Sequence, residues 1–226
     1  SNASPLAAKR TARGRFRHEG CCPGLPVAGK PLVWYTGDDS NNEYLYKFVS
    51  DAVWDPADAT PADRLATGAK YMDQGKLYVA RFNADGSGDW LPPEVPPPPT
   101  AGSTLGALYG DLPGIILHTR GAADAVGATP MDRPEWTAVN PLNGDVYLTL
   151  TNNSSRTPEK VDAANPRGPN RHGHIIRWHD SDDHTSFNWD IFVFGANAAG
   201  TADINRSGLT ELNQFASPDG MSFDSR

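Results

Sequence analysis

The chain has 226 residues, of which 38% are hydrophobic and 21% are charged, and its formal net charge is −7. A chain of this size can bury one sizeable core or two small ones. The negative balance argues against a nucleic-acid or anionic-membrane partner, because either surface would attract a basic face. No apolar run approaches the roughly 18 residues that a membrane-spanning helix needs.

Residues 1–15 are expected to lie outside the fold, as a tag remnant and lead-in. The opening Ser-Asn-Ala is typical of what tag removal leaves behind. Cys21 and Cys22 are adjacent, and a bridge between neighbouring cysteines is strained, so the sequence predicts no disulfide framework. We expect both cysteines to be small buried residues on a strand.

Alternating apolar residues and turn signals predict strands along most of the chain. Residues 31–39 alternate toward a turn, and 43–51 follow as a hairpin partner. Residues 75–90 form a strand that ends in an Asp-Gly turn signal. Further strands are predicted as a hairpin over 135–153 around an Asn-Gly turn, and at 174–180, 187–195 and 215–224.

The segment 91–133 reads as an insertion of loop and helix between the strands. Its first ten residues are rich in proline, which cannot join a sheet ladder, so they predict an exposed loop or spacer. Residues 111–129 carry apolar side chains at helical spacing and predict one short helix, which Gly114 and Gly121 weaken.

The strands on either side of this insertion repeat. The stretch "VWYTGDD" matches "YLTLTNN", and "YLYKFVS" matches "HIIRWHD". Each repeat holds four antiparallel strands, which is typical of a propeller blade. The sequence therefore predicts an all-β fold of propeller type, with long loops, two blade-like units at about 16–90 and 134–197, and the first strand of a third.

The first strand of each blade lines the central channel of a propeller. Glu19, Glu135 and Asp219 stand at the same place in the three units and would meet at one channel mouth. Converging carboxylates repel one another unless cations lie between them. Ligands that are all oxygen favour calcium, magnesium, manganese or ferric iron over zinc. We predict that these three carboxylates are metal ligands.

Arg133 lies two residues before Glu135, and its planar guanidinium has the geometry that suits phosphate. An ordinary surface ion pair is the alternative interpretation of the two side chains. The "GDD" stretch at 37–39 and the "TNN" stretch at 151–153 are interpreted as turn residues. His172 and His174 resemble a metal-binding pair, but the start of a strand explains them as well.

Several motifs resemble one known family: "HEG", "YTGDDSNNEYLYKFVS", "ADAVGATPMDRPEWTAVNP", "DAANPRGPNRHGHIIRW" and "SPDG". Over about 16–224 they are similar to the PhoX family of bacterial alkaline phosphatases. The resemblance implies a six-bladed propeller whose axial site uses iron and calcium ions to hydrolyse phosphate monoesters, in a protein exported to the periplasm or beyond. It implies metal ligation by Glu19, Glu135 and Asp219, and a catalytic phosphate contact by Arg133.

The chain departs from the family in one respect. By the resemblance, we expect the chain to lack an upstream region that supplies further ligands in the family, including a cysteine and an aspartate, and to lack the blades after Asp224. Cys21 and Cys22 follow the glutamate motif and do not replace the missing cysteine. We therefore expect the isolated chain to be inactive and to self-associate through exposed blade edges. A calcium-dependent propeller lactonase, which would not need Arg133, and a non-catalytic propeller that binds partners remain alternatives.

Overall fold

The computed structural model describes residues 7–92 and 108–224 of the chain. The proline-rich stretch expected as a loop lies, from residue 93 onward, outside the described residues. The strands are β1 (His18–Pro23), β2 (Pro31–Asp38), β3 (Asn41–Glu43), β4 (Leu45–Val53), β5 (Gly75–Phe82), β6 (Ser87–Leu91), β7 (Met131–Asp132), β8 (Pro134–Val139), β9 (Val146–Leu150), β10 (His174–Asp180) and β11 (Ser186–Phe194). The α-helices are α1 (Arg64–Met72), α2 (Leu112–Leu117) and α3 (Thr119–Val126). Within the described ranges, none of the helices has the length and apolar character needed to cross a membrane.

Nine strands form one antiparallel sheet in the order β1-β2-β4-β5-β6-β11-β10-β9-β8, and β3 pairs separately with β7. The two predicted hairpins are confirmed as the pairs β2–β4 and β8–β9, and the strands predicted at 174–180 and 187–195 are confirmed as β10 and β11, which pair with each other. The mainly β architecture is therefore as the sequence predicted. The division into blade-like units at 16–90 and 134–197 stays a prediction.

The sheet curves until its first and last strands meet. At Gly37 in β2, an added Cβ atom would lie 2.4 Å from the carbonyl oxygen of Pro134 in β8. Only glycine permits this approach, because real Cβ contacts are never that short. Next to it, the hydroxyl of Thr137 donates to the carbonyl oxygen of Tyr35 at 3.2 Å. Because β1 pairs with β2, the contact between β2 and β8 also sets residues of β1 next to residues of β8.

The interior between the two halves of the sheet holds a large apolar cluster that includes Tyr35, Trp90 and Trp178. A buried ion pair lies among these rings, with Lys47 Nζ donating to Asp180 Oδ2 at 2.8 Å. Asp180 also accepts from the Tyr35 hydroxyl at 2.8 Å and from Trp90 Nε1 at 2.9 Å. Because its hydrogen bonds are satisfied, this ion pair can join β4 to β10 without leaving a buried charge unpaired.

The helices differ from the prediction. The single helix expected in 111–129 is two helices, because His118 between them has a non-helical backbone (φ −113°, ψ 39°). Helix α1 was not predicted, although Asp63 caps it by accepting hydrogen bonds from the backbone N–H groups of Leu65 and Ala66. An aspartate in that position is an ordinary signal for the start of a helix.

The strand predicted at 215–224 is wrong. Apart from an isolated bridge between Ala196 and Phe215, the described residues of this segment form no ladder. Side chains hold it instead, since Thr149 and Thr151 donate to the backbone oxygens of Asp219 and Pro218, each at 2.7 Å. The cysteines differ as well: Cys21 is exposed and Cys22 half-buried, because they lie on β1 at the end of the sheet.

Candidate metal centre

Three carboxylates converge where the two ends of the sheet meet. Glu19 comes from β1, Asp39 directly follows β2, and Glu135 comes from β8. One oxygen from each lies within 4.8 Å of the others. Glu135 is buried, and Glu19 and Asp39 are half-buried. The register that pairs Glu19 with Gly37 sets β1 beside β2, so Gly37 is what lets all three side chains gather.

Arg133 bridges two of these carboxylates. Its Nε donates to Asp39 Oδ1 at 3.0 Å, and its Nη2 donates to Glu135 Oε1 at 3.1 Å. The backbone of Arg133 has φ +56°, a left-handed conformation that is uncommon for a residue with a side chain. This backbone conformation lets the side chains of Arg133 and Glu135, two residues apart, both point toward the carboxylate cluster.

The protonation of Glu135 reflects this crowding. Burial first, and then the hydrogen bond with Asp39 and the nearby charges of Asp39 and Asp219, raise the pKa of Glu135 to about 7, against the opposing hydrogen bond from Thr151. Carboxylates that share a site cannot all ionise without a cation between them. The donor set is made of oxygen alone, which hard cations prefer. The residues present therefore fit a hard metal ion, and metal ligation by Glu19 and Glu135 stays a prediction.

Trp136 orients the carboxylate of Glu19. Its indole Nε1 donates to Glu19 Oε1 at 2.8 Å, which ties the end of β1 to β8. The Trp136 side chain stays partly open, at 41% exposure. Trp136 was not predicted as a site residue, because nothing local in "PEWTAV" connects its indole to a glutamate 117 residues away.

Two buried aspartates hold the backbone next to residues of the centre. Asp38, which precedes Asp39, accepts from Arg120 Nε at 2.8 Å and from Arg120 Nη2 at 2.6 Å. Asp132, which precedes Arg133, accepts from Arg156 Nε at 2.6 Å. Both aspartates are fully buried. Each aspartate–arginine pair thus holds the backbone just before a residue of the centre.

The structure places the predicted site residues as follows. Glu19, Glu135 and Arg133 lie together at the centre. Asp219 lies close enough to raise the pKa of Glu135, but its carboxylate is outside the group of three. Asp39, which was interpreted as a turn residue, takes the third place in that group. The signal that could have found it is its position at the end of the strand that pairs with β1.

The histidines of "HGH" lie elsewhere. The His174 ring is buried between Asn170 Nδ2, at 2.9 Å from its Nδ1, and the carbonyl oxygen of Ala164, at 2.8 Å from its Nε2. It is a hydrogen-bonded core residue, so the strand-start interpretation is the one that the geometry favours.

Known proteins resemble this chain. The family model described as "Alkaline phosphatase PhoX" matches residues 1–226. Among solved structures, the chain is similar to Pseudomonas fluorescens PhoX in complex with vanadate, a transition state analogue, with 38% sequence identity and a TM-score of 0.80. That similarity covers 96% of this chain and 38% of the other. No curated protein matches the chain.

These matches establish the fold and the family of the chain. At this identity and TM-score, the predicted propeller-type fold is confirmed. The chain nevertheless spans well under half the length of the solved relative. Because the family model covers the chain from its first residue to its last, the chain belongs to the PhoX family of alkaline phosphatases.

Proposed function

We propose that the full-length protein carrying this sequence is a metal-dependent phosphatase that hydrolyses phosphate monoesters. The observation that carries the proposal is the convergence of Glu19, Asp39 and Glu135 around Arg133 in a member of a phosphatase family. The similar structure of Pseudomonas fluorescens PhoX was obtained with vanadate, a transition state analogue, which supports phosphoryl chemistry.

In this proposal, Glu19, Asp39 and Glu135 hold hard cations, with calcium and iron as the proposed ions. Asp219 is a further candidate ligand. When bound, such ions polarise phosphoryl oxygens and neutralise the charge that develops during an in-line displacement. The carboxylates keep the ions in place and are themselves held by Trp136 and by the backbone that Asp38 anchors.

Arg133 is the proposed phosphate-binding and catalytic residue. Its donors now bond Asp39 and Glu135, and its side chain is 33% exposed, so the guanidinium can be reached from solvent. Once the carboxylates are neutralised, it exchanges these acceptors for phosphoryl oxygens. A guanidinium fork offers two parallel hydrogen bonds to such oxygens, which stabilises the transition state more than the ester.

We further propose that the protein acts in the periplasm or outside the cell, as expected for the family, and that the 226 residues alone are catalytically silent. The second part is supported by the chain spanning 38% of its solved relative, since a metal cluster needs its complete ligand set.

The test is hydrolysis of para-nitrophenyl phosphate by the full-length protein loaded with calcium and iron, beside a lactone substrate. We expect phosphatase activity that a chelator removes and metal restores. Activity on the lactone alone would support the lactonase, and no activity on either would support a binding role.

A further inference from the structure

A cavity of about 420 Å³ lies between the loop around 158–172 and the turn at 203–206. Its lining includes Arg167, Arg171, Arg206, His172 and Asp203. It shares no residue with the metal centre. Three guanidinium groups against one carboxylate make its wall basic, in a chain whose net charge is −7.

Arg167 is a buried cation that forms no direct ion pair within the described residues. It is 5% exposed, and its Nη groups donate there to the carbonyl oxygens of Gly195, Ile204 and Gly173. Its Nε has no hydrogen-bond partner among the described residues. Burial, and then the charge of Arg206, lower the pKa of Arg167 to about 10, against the more weakly opposing charge of Asp132. A buried charge whose direct hydrogen-bond partners are neutral is costly, and an anion in the cavity would relieve that cost.

The other two arginines lie at the open side of the cavity. Arg206 is exposed and donates to the carbonyl oxygens of Asp203 and Pro166 at 3.0 and 3.3 Å. Arg171 is exposed, and its guanidinium has no hydrogen bond or ion pair within the described part of the chain. The Arg167 and Arg206 guanidiniums both lie against the Phe194 ring, at 4.9 and 5.3 Å from its centroid, which brings two like charges together.

We propose that this cavity binds a phosphate group, as inorganic phosphate or as part of a small phosphate ester. Arg171 and Arg206 supply the direct hydrogen bonds, and Arg167 behind them supplies a positive field. Paired guanidinium forks match the oxygens of a tetrahedral oxyanion better than they match the two oxygens of a single carboxylate. The volume of about 420 Å³ leaves room for an organic group beside the phosphate. The site does not rest on the function proposed for the metal centre.

The test is isothermal titration calorimetry of the 226-residue chain with inorganic phosphate, with glycerol 3-phosphate and with acetate, at constant ionic strength and with a chelator present. We expect saturable binding of phosphate and none of comparable strength for acetate. Arg171→Gln and Arg206→Gln are each expected to raise Kd about tenfold, the effect of losing one charge-assisted hydrogen bond. Tighter binding of glycerol 3-phosphate would identify an ester site, and equal or weaker binding an inorganic phosphate site.

A control variant distinguishes the cavity from other cationic positions. Arg177→Gln removes an exposed arginine that pairs with Asp190 and should leave Kd unchanged. Absence of saturable phosphate binding, equal affinity for acetate, or an equal rise in Kd in Arg177→Gln would overturn the proposal. Because the Arg171 side chain has no hydrogen bond or ion pair within the described residues, an unchanged Kd in the Arg171→Gln variant, with an unchanged Tm, would also overturn it.

Discussion

At Arg133, one residue carries both the local strain and the proposed chemistry of the metal centre. Its backbone has φ +56°, and its side chain joins Asp39 and Glu135. Asp132 beside it is buried and bonded to Arg156, which holds the backbone where Arg133 can reach the carboxylates. Substitutions here separate a residue that contacts substrate from one that holds metal.

In the full-length protein, Arg133→Ala is expected to lower phosphatase turnover by about 10²–10³ and to leave metal content nearly intact. A cation cannot ligate a metal, but it stabilises charge on phosphoryl oxygens, and losing one such donor has an effect of that size. Glu135→Ala is expected to remove metal and activity together. Turnover and metal stoichiometry of both variants, with Arg177→Ala as a surface control, are the measurements. A kinetically normal Arg133→Ala variant would return the residue to an ordinary ion pair.

Acid is expected to destabilise the fold through His174. Burial lowers the pKa of His174 to about 3, against hydrogen bonding to Ala164, whereas an unfolded histidine titrates near 6.5. The unfolded chain therefore binds more protons between about pH 6.5 and pH 3, so stability falls as the pH falls through that window. A difference of one bound proton between the unfolded and folded chain lowers the free energy of unfolding by about 2 kcal/mol from pH 6.5 to pH 5.

Urea unfolding of the wild type and His174→Gln at several pH values between 5 and 7 measures this effect. The His174→Gln variant should be less stable than the wild type at pH 7, and its free energy of unfolding should fall less steeply as the pH is lowered. The exposed His179 provides the control, because His179→Gln should keep the wild-type slope. An equal slope in His174→Gln would assign the acid sensitivity to other groups.

At the scale of elements, the centre depends on how closely strands approach and on what clamps their ends. Gly37 permits the close approach of strand β2 to β8. The ends of β2 and β7 are held by aspartates that arginines from α3 and from the loop after β9 neutralise. These contacts join segments that are far apart in sequence.

Gly37→Ala is expected to lower the free energy of unfolding by about 1–3 kcal/mol, since overpacking of a close contact costs that much. Its Cβ would lie 2.4 Å from the Pro134 oxygen, so β2 must move away from β8 and the carboxylates must separate. Gly24→Ala is the matched control, because the nearest atom to its Cβ is 3.5 Å away. Denaturant unfolding and metal binding of both variants check this. Equal stability of the two would contradict the close-approach argument.

Arg156→Met is expected to cost about 3–5 kcal/mol, the usual effect of removing one partner of a buried ion pair. Arg156 and Asp132 side chains are 4% and 0% exposed, so the remaining carboxylate has no access to water. Arg81→Met breaks an exposed pair with side chains 45% and 38% exposed, and should cost no more than about 1 kcal/mol. Urea unfolding of both variants compares them directly, and similar losses would show that burial does not decide the difference.

At the scale of the whole molecule, the 226-residue chain is expected to self-associate. Several of its apolar side chains are open to solvent, among them Phe192 and Leu212 at 52% and 99% exposure. Exposed apolar groups favour contacts between copies. Light scattering over a range of concentrations should give a dimer or larger assembly. A monomer at every concentration would show that these surfaces do not associate.

The sequence by itself determined the strands and much of their pairing. Strands β2, β4, β8, β9, β10 and β11 follow from alternation and from turn residues between neighbours, because such hairpins form between segments close in the chain. The repeat also predicted that Glu19 and Glu135 would meet. Asp39 could not be found that way, because an aspartate after a strand usually bonds its own turn.

The tertiary structure decided what depends on contacts between distant segments. The bonds from Arg120 to Asp38 and from Trp136 to Glu19 span 82 and 117 residues, and no local pattern encodes them. Whether residues 215–224 form a strand also depended on distant partners, since the hydroxyls of Thr149 and Thr151 took the place of a ladder. Local propensity selects strands and turns, but the approach of β2 to β8 through Gly37 decides which carboxylates share one centre.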